Sequence, residues 1–438
     1  MTEIISIFIS LIFLFLFSNF PFNFFVIKKF YFSNFSYCDS LLINIVINCN
    51  LLLLLSFINI NLSLTFYSLI IPSTVIIILY YKDYLKLLKN NIYLVTFFLL
   101  IFYLISIFIA KKAHLEWDGL AHWIIKSSIF FQGGSYQNLI GVPFDYYPHL
   151  GPLLWAFFWK HSILQIEYFG RLFFIFIFLV SIFTLNSKIS NKYSSFEKIL
   201  IIFILLFLST NLFLFGGYQE YFIFFIFFCF SNFFIKYFLF RKKIKISFYP
   251  ELLLISITNI MLWVKQEGFF YYIILNIIFL VHAKRNVLNK ILYLILVIFL
   301  IAAFLYIKNM YFGSLKFNAD IINEETFKNF EINYFFSKVL IITKYFIITF
   351  FKYPIWILIF LSIIILHKNY HYFYRKKFIL TYLISIFCFI YAIFLNEPTN
   401  LSYLVPLTLN RILFATSGFL IFINIELFNQ IKTNSRLK

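Results

Sequence analysis

The chain has 438 residues, of which 63% are hydrophobic, 24% aromatic and 12% charged. Soluble globular proteins carry about 25% charged residues, so this composition indicates an integral membrane protein. The net charge of +19 is spread over short clusters between apolar runs, which favours a membrane-orientation signal over a nucleic-acid-binding surface. The four cysteines lie in or beside apolar runs without paired spacing, so we expect neither a disulfide framework nor a metal site.

The apolar runs predict an all-α fold, a polytopic transmembrane helix bundle of about 13 spans, because only helix satisfies the backbone of such segments in lipid. The first run has no basic region before it and no small-residue cleavage site, so we expect a retained span rather than a signal peptide. The predicted spans are 4–26, 41–58, 63–81, 92–110, 169–186, 198–215, 219–240, 247–264, 269–283, 290–307, 350–367, 378–395 and 412–430.

Lysine and arginine clusters predict the orientation, because these residues favour cytoplasmic loops. One assignment puts every cluster inside, with the N-terminus outside and the C-terminus in the cytoplasm. The net positive charge is then a cytoplasmic feature, and most of the polar chemistry faces the other side. The clusters are Lys28 and Lys29, Lys82, Lys86 and Lys89, Lys188, Lys192 and Lys198, 241–245, Lys284, Arg285 and Lys290, 375–377 and 432–438.

Two segments resist assignment as spans. The apolar run within 147–171 is too short to cross, so we expect a re-entrant or interfacial hairpin. The stretch 334–349 is interrupted by Lys338 and Lys344 and predicts an interfacial helix. The chain then divides into N-terminal transmembrane helices (1–110), a catalytic non-cytoplasmic loop (111–168), a transmembrane bundle (169–307), a second outer loop with an interfacial helix (308–349) and C-terminal transmembrane helices (350–438).

The first outer loop contains an unusually polar stretch, AHLEWDGLAHWIIKSSIFFQGG (113–134). Asp118, His122 and Lys126 are spaced four apart, so a helix that begins near Asp118 would present them on one face, with Trp123 adjacent. Glu116 is two residues from Asp118 and would point elsewhere, so we expect one working carboxylate and one supporting carboxylate. The alternative is a solvated interfacial helix whose tryptophans anchor at the headgroups.

Other candidate groups lie at predicted outer ends of spans. A Tyr-Pro segment carries Tyr146, Tyr147 and His149, and its prolines mark a sharp entry into the short dipping element. The turn KQEG carries Lys265 and Glu267, which indicate either function or a structural ion pair, because ionisable groups at membrane depth are costly. Glu220 follows GGYQ. For Arg411 two roles are open: its guanidinium either extends to the membrane surface as an anchor or binds phosphate oxygens. The acidic stretch 318–331 indicates a solvated loop.

These motifs together resemble the GT-C superfamily of integral-membrane glycosyltransferases, the group that includes protein O-mannosyltransferases and lipid A aminoarabinose transferases. The resemblance covers roughly 90–430 and consists of short motifs: EWDGLAHWIIKS, YYPHLGPLLWAFF, FGRLFFIF, KQEG and LTLNRILF. It departs from the family in two respects. Trp117 separates two acids that are often adjacent, and four predicted spans precede the loop where one is usual.

The resemblance implies sugar transfer from a polyprenyl-phosphate donor on the non-cytoplasmic face, with Asp118 as the base and Glu116 in a secondary catalytic part. Attack from the face opposite the leaving group predicts inversion. Arg411, Lys126 and Lys265 are the expected ligands of the donor phosphate. The sugar or the acceptor is expected to meet Trp123, His122, Tyr146, Tyr147, His149, Glu220 and Glu267.

Two other classes of function fit a polytopic chain of this kind. An O-antigen polymerase or ligase would centre on a large loop late in the chain, and a lipid-linked sugar flippase or transporter would show internal repeats, which the sequence lacks. We expect no cofactor, no nucleic-acid partner, and a lipid, glycan or protein as acceptor beside membrane lipids. The expected location is a bacterial inner membrane.

Overall fold

The structure, a computed structural model, describes residues 2–25, 36–58, 61–111, 114–190, 193–239, 248–312, 332–358, 361, 373–396 and 401–434. Every regular element in these ranges is helical, which confirms an all-α helical fold. The chain forms two compact units, one of residues 1–204 and 211–225 and the other of residues 205–210 and 226–438. The polar loop belongs to the same unit as the N-terminal helices, and the five segments expected from the sequence stay a prediction.

Eight helices of the described chain are long and apolar enough, by length and composition, to cross a membrane. They correspond to eight of the expected spans. Four further expected spans form shorter helices of 15 to 17 residues, which include Thr2–Ser18 where 4–26 was expected. Of the expected span 350–367, only residues 350–358 and 361 are described, and the whole of the acidic stretch 318–331 lies outside the described residues.

The first unit starts with five helices, some of which begin at recognisable capping residues. The Ser36 side chain accepts from the backbone N–H of Asp39, and the Asp39 carboxylate in turn accepts from Ser36, a capping box that starts the second helix. Asn61 caps the third helix through Ser63. The five helices are α1 (Thr2–Ser18), α2 (Tyr37–Phe57), α3 (Leu62–Leu79), α4 (Tyr81–Asn90) and α5 (Ile92–Lys111).

The rest of the first unit surrounds one buried helix. Three helices continue the chain: α6 (Ile124–Phe131), α7 (Leu150–Lys160) and α8 (Tyr168–Thr184). Every residue of α8 is buried, and α1, α2, α5 and α7 pack around it. The helix α7 has 11 residues, about 16 Å of helix, which agrees with the expectation that 147–171 is too short to cross. It is buried among α2, α6 and α8.

Two helices, α9 (Ser195–Ser209) and α10 (Glu220–Phe234), are divided between the units. The second unit continues with α11 (Tyr249–Val264) and α12 (Gly268–His282), which form a hairpin, and then α13 (Val287–Phe312). Arg285 holds the start of α13 to α11 through Glu251, with its Nε 2.6 Å from the carboxylate. The last helices are α14 (Ile332–Lys352), α15 (Phe373–Asn396) and α16 (Leu401–Asn434).

Two helices of the second unit differ from the sequence expectation. The helix α14 extends beyond 334–349 and packs along α15 and α16. Its Lys338 is buried and donates to the carbonyl oxygen of Leu395 at 3.0 Å, so this lysine lies inside the protein and not at an exposed interface. The last helix begins at Leu401, not near 412, and continues through Pro406. Arg411 therefore lies within it, and the expectation that Arg411 opens the last span is wrong.

Candidate functional site

The polar stretch that ends at Gly134 is largely helical, as expected, but its helical part begins with an irregular turn. Residues Gly119–Trp123 form a π-helical turn that the Ile124 N–H closes on the carbonyl oxygen of Gly119, and α6 follows directly. Isolated π turns are frequent at functional sites. Asp118, His122 and Lys126 are all buried, at 6%, 4% and 0% exposure. All three side chains are removed from solvent, and the expectation that they share one face of the helix stays a prediction.

The His122 imidazole is enclosed by aromatic rings. Its centroid lies 4.1 Å from that of Phe144, 4.8 Å from that of Tyr147 and 4.9 Å from that of Trp117. Trp117 itself is 65% exposed and covers this ring from the solvent side. His122 is therefore held in a fixed orientation by packing on three sides.

The Lys126 ammonium is buried in polar and aromatic surroundings. It donates to the carbonyl oxygen of Tyr147 at 2.8 Å, and its Nζ lies 5.8 Å from the ring centroids of both Trp123 and Tyr147. These distances fit cation–π contacts. The buried Trp123 indole N–H has no hydrogen-bond partner within the part of the chain that the structure describes. We refer to Asp118, His122, Trp123, Lys126 and Tyr147 as the Asp118 cluster.

A tight loop brings Tyr147 to this cluster. The Asp145 carboxylate accepts from the backbone N–H groups of Gly141, at 3.0 Å, and Tyr146, at 2.8 Å. Phe144 has φ of 56°, a left-handed conformation that is strained for a bulky residue. The Phe144 ring contacts the imidazole of His122, and this contact stabilises the strained turn. The Tyr146 ring packs edge-on against Tyr147.

A second loop of the first unit lies against the start of the polar helix. The Glu116 N–H donates to the carbonyl oxygen of Gly216 at 2.8 Å, and the Glu116 carboxylate lies 3.9 Å from Nε2 of His114. A Cβ on Gly119 would lie 2.7 Å from the Gly216 oxygen, and one on Gly216 would lie 2.4 Å from the Glu116 side chain. The two loops thus approach as closely as they do only because both carry glycine.

The sequence reasoning named GGYQE for Glu220 but missed its neighbour Gln219. Glu220 is buried at the first turn of α10. Gln219 is fully buried, neither polar atom of its amide has a hydrogen-bond partner among the described residues, and a Cβ on Gly151 would collide with its Oε1. The glycine in α7 makes room for this amide. A Gln that lies two residues after a pair of glycines and directly before an acid was the available signal.

Arg171 was also missed as a site residue. Although it lies in the buried helix α8, it donates to the carbonyl oxygen of Phe215 at 3.2 Å and pairs with Glu167 at 3.0 Å. It therefore supports the loop that carries Gly216 and Gln219. Burial raises the pKa of Glu167, and the Arg171 guanidinium acts in the opposite direction. The i,i+4 spacing of an acid and an arginine in EYFGR was a detectable signal.

His149, another predicted sugar-binding residue, is in contact with the helix α2. It is fully buried, its Nε2 lies 2.9 Å from Oγ of Ser56 in α2, and its ring packs against Tyr136 and Phe57. These contacts fasten the entry to α7 onto α2. The expectation that His149 meets the sugar or the acceptor stays a prediction.

The remaining predicted residues belong to the second unit. Lys265 and Glu267, in the turn between α11 and α12, form an ion pair of 3.1 Å with both side chains mostly buried. This pair matches the structural alternative that the sequence left open for these residues. Arg411 is half-buried within α16. The expectation that Lys265 and Arg411 join Lys126 around a phosphate stays a prediction.

The described ranges contain no group of three His, Cys, Asp or Glu side chains that could hold a metal ion. Comparison of the chain with protein-family models, with curated proteins and with solved structures finds no match.

Proposed function

We propose that this chain is an integral-membrane glycosyltransferase of the GT-C type, which moves a sugar from a polyprenyl-phosphate donor to an acceptor. The observation that supports the proposal is the Asp118 cluster. The Asp118 carboxylate and the Lys126 ammonium are both buried in one short helical segment, and aromatic rings border the ammonium. Sugar transfer needs this pair of charges, because a base must take the acceptor proton and a cation must stabilise the departing phosphate.

In this mechanism the acceptor hydroxyl attacks the anomeric carbon from the side opposite the phosphate. The bond from that carbon to the phosphate oxygen breaks, Asp118 takes the hydroxyl proton, and polyprenyl phosphate leaves with both electrons of the broken bond. The product therefore has the inverted anomeric configuration. The donor phosphate is held by Lys126 together with Lys265 and Arg411. Glu116 supports the loop that presents Asp118.

The sugar and the acceptor would meet the aromatic residues of the cluster and the neighbouring Tyr146. Trp123, His122, Tyr146 and Tyr147 supply the rings and polar edges for this contact, and Glu220 and Glu267 are the proposed acidic partners of sugar hydroxyls. We place this chemistry on the non-cytoplasmic face of a bacterial inner membrane. The proposed topology has about 13 spans, an outer N-terminus and a cytoplasmic C-terminus.

The test is a product assay on the purified full-length protein. The protein is incubated with polyprenyl-phosphate sugars, and released polyprenyl phosphate is measured together with the anomeric configuration of the glycosylated product. Transfer predicts lipid phosphate released in step with an inverted product. A transporter would move the donor across proteoliposomes intact, and that result would reject the proposal.

A further inference from the structure

The helix α4 (Tyr81–Asn90) occupies a constrained place in the first unit. It lies between α3 and α5, both of which are long and apolar enough to cross a membrane, and single residues, Tyr80 and Asn91, connect it to them. A ten-residue helix held this closely between two spans has no length of chain with which to leave the membrane surface. Whichever side it is on, α4 lies at the level of the lipid headgroups.

The sequence of α4 is divided into two faces. Lys82, Lys86 and Lys89 recur at intervals of four and three residues, which places all three in one row. A second row, beside the first, holds Tyr81, Leu85 and Leu88. None of the residues of α4 is buried, and Tyr81, Leu85 and Leu88 are 52%, 52% and 42% exposed. An amphipathic helix therefore presents both its apolar row and its lysine row to the outside of the protein.

One side chain fixes how α4 is rotated about its axis. The Tyr84 hydroxyl donates to Oδ1 of Asn19 at 3.2 Å, and its ring packs edge-on against Phe25 and Tyr37, with centroids 5.0 and 6.1 Å away. Lys86 lies two residues further on, about 200° around the helix. Because Tyr84 faces the protein, the lysine row must face away from it.

We propose that α4 is a binding site for anionic phospholipid headgroups. The apolar row would lie at the boundary of the acyl chains, while the adjacent lysines would reach the lipid phosphates, the arrangement expected of a basic interfacial helix. Asp83 is the single acidic residue of α4, so the helix carries a net charge of +2, from three lysines less one aspartate. A lipid surface is the favoured partner over an acidic protein because the chain on both sides enters the apolar spans at once. This inference is independent of the proposed glycosyltransferase activity.

The test uses the full-length protein in detergent, titrated with fluorescent phosphatidylglycerol in competition with unlabelled phosphatidylglycerol or phosphatidylcholine. The variant K82Q/K86Q/K89Q removes the lysine row. The matched control K111Q/K344Q/K352Q removes three exposed lysines from other helices and so changes the net charge equally. A charge-preserving variant, K82R/K86R/K89R, reports on whether positive charge at these positions is sufficient.

We expect the wild type to prefer phosphatidylglycerol, and the α4 variant to bind it about tenfold or more weakly, since each lysine near an anionic surface contributes severalfold. The control and the arginine variant should stay within about twofold of the wild type. Equal weakening by both glutamine variants would overturn the proposal, because net charge alone would then explain the binding. Unchanged affinity of the α4 variant would overturn it as well, and binding of the wild type only to an acidic soluble protein would assign the helix to another partner.

Discussion

Lys126 is the residue whose burial most needs explanation, because an ammonium inside a protein is unfavourable without acceptors around it. The Tyr147 carbonyl oxygen and two ring faces provide part of those surroundings. The sequence spacing predicted that Lys126 would share a face with Asp118 and His122. It could not predict the acceptor, because Tyr147 is 21 residues away and its position depends on the left-handed turn at Phe144.

Replacement of Lys126 tests its part in donor binding. K126M removes a charge-assisted contact to the phosphate, typically about 1.5–3 kcal/mol, so kcat/KM for the polyprenyl-phosphate sugar should fall roughly 10- to 150-fold. K160M is the control, since Lys160 lies at the end of α7, outside the cluster, and should change kcat/KM by no more than about twofold. Equal effects of the two substitutions would remove Lys126 from the proposed phosphate site.

We expect the stability of the folded protein to depend on pH because of His161, at the end of α7. Its Nδ1 donates to the carbonyl oxygen of Phe157 at 2.7 Å, and its ring stacks on Phe66. Its buried Nε2 has no hydrogen-bond partner in the described ranges. Burial lowers the pKa of His161, the carbonyl contact opposes this, and Lys160 lowers it further. The folded state therefore favours the neutral ring, and the unfolded state takes up a proton first as the pH falls.

The stability that this preference provides is present above the ordinary pKa of 6.5 and is lost as the pH falls through the lowered pKa of the folded state. The thermal midpoint in detergent should therefore decrease from about pH 7.5 to about pH 5.5, and H161F should decrease less, because phenylalanine keeps the stacking but does not titrate. An identical decrease in the wild type and H161F would show that other groups cause the pH dependence.

At the scale of elements, the contact between the polar helix and the Gly216–Gly217 loop determines where Asp118 lies. The helix itself was predictable from its own spacing. The loop contact was not, because it joins residues about a hundred positions apart and depends on the absence of side chains at three glycines. Likewise, no local pattern predicts that Gln219 lies against Gly151, or that Arg171 supports the Phe215 carbonyl from within the buried helix α8.

A methyl group on Gly119 tests this contact. G119A would place a Cβ 2.7 Å from the Gly216 oxygen, so the two loops must separate. Overpacking of this kind costs about 1–3 kcal/mol of unfolding free energy, and we expect transfer activity to fall at least about tenfold because the helix that carries Asp118 moves. G133A is the control. Gly133 has φ of 96° with open space around it, so alanine there should lower stability but leave transfer intact. Loss of activity in G133A alone would contradict this account.

At the scale of the whole molecule, composition and hydropathy predicted the class of the protein well. Eight helices of the described chain agree with expected spans, because a long apolar run needs no information beyond itself. The bounds of two expected spans differ from the helices in the structure. The first helix ends at Ser18, where a span of 4–26 was expected, and α16 begins at Leu401, because polar residues before Arg411 interrupt the apolar run. The sequence also predicted an interfacial helix at 334–349. It could not predict that Lys338 of α14 donates to a carbonyl oxygen of another helix.

The charge distribution makes a separate prediction about orientation. Reporter fusions after Asn90, in α4, should be active only as cytoplasmic reporters, and fusions after Phe144 only as non-cytoplasmic ones, because the lysines of α4 favour the inside. The opposite result at both positions would invert the topology. It would also place the Asp118 cluster on the cytoplasmic side, where a donor presented on the outer face could not reach it.

The most direct test of the proposed function is the rate of polyprenyl phosphate release by D118A beside E116A, in protein that is shown to be folded and inserted. The account predicts that D118A retains less than about a tenth of the wild-type rate, because general-base catalysis contributes 10²- to 10⁴-fold, whereas E116A retains most of it. A D118A protein with more than about a tenth of the wild-type rate would contradict the assignment of Asp118 as the base.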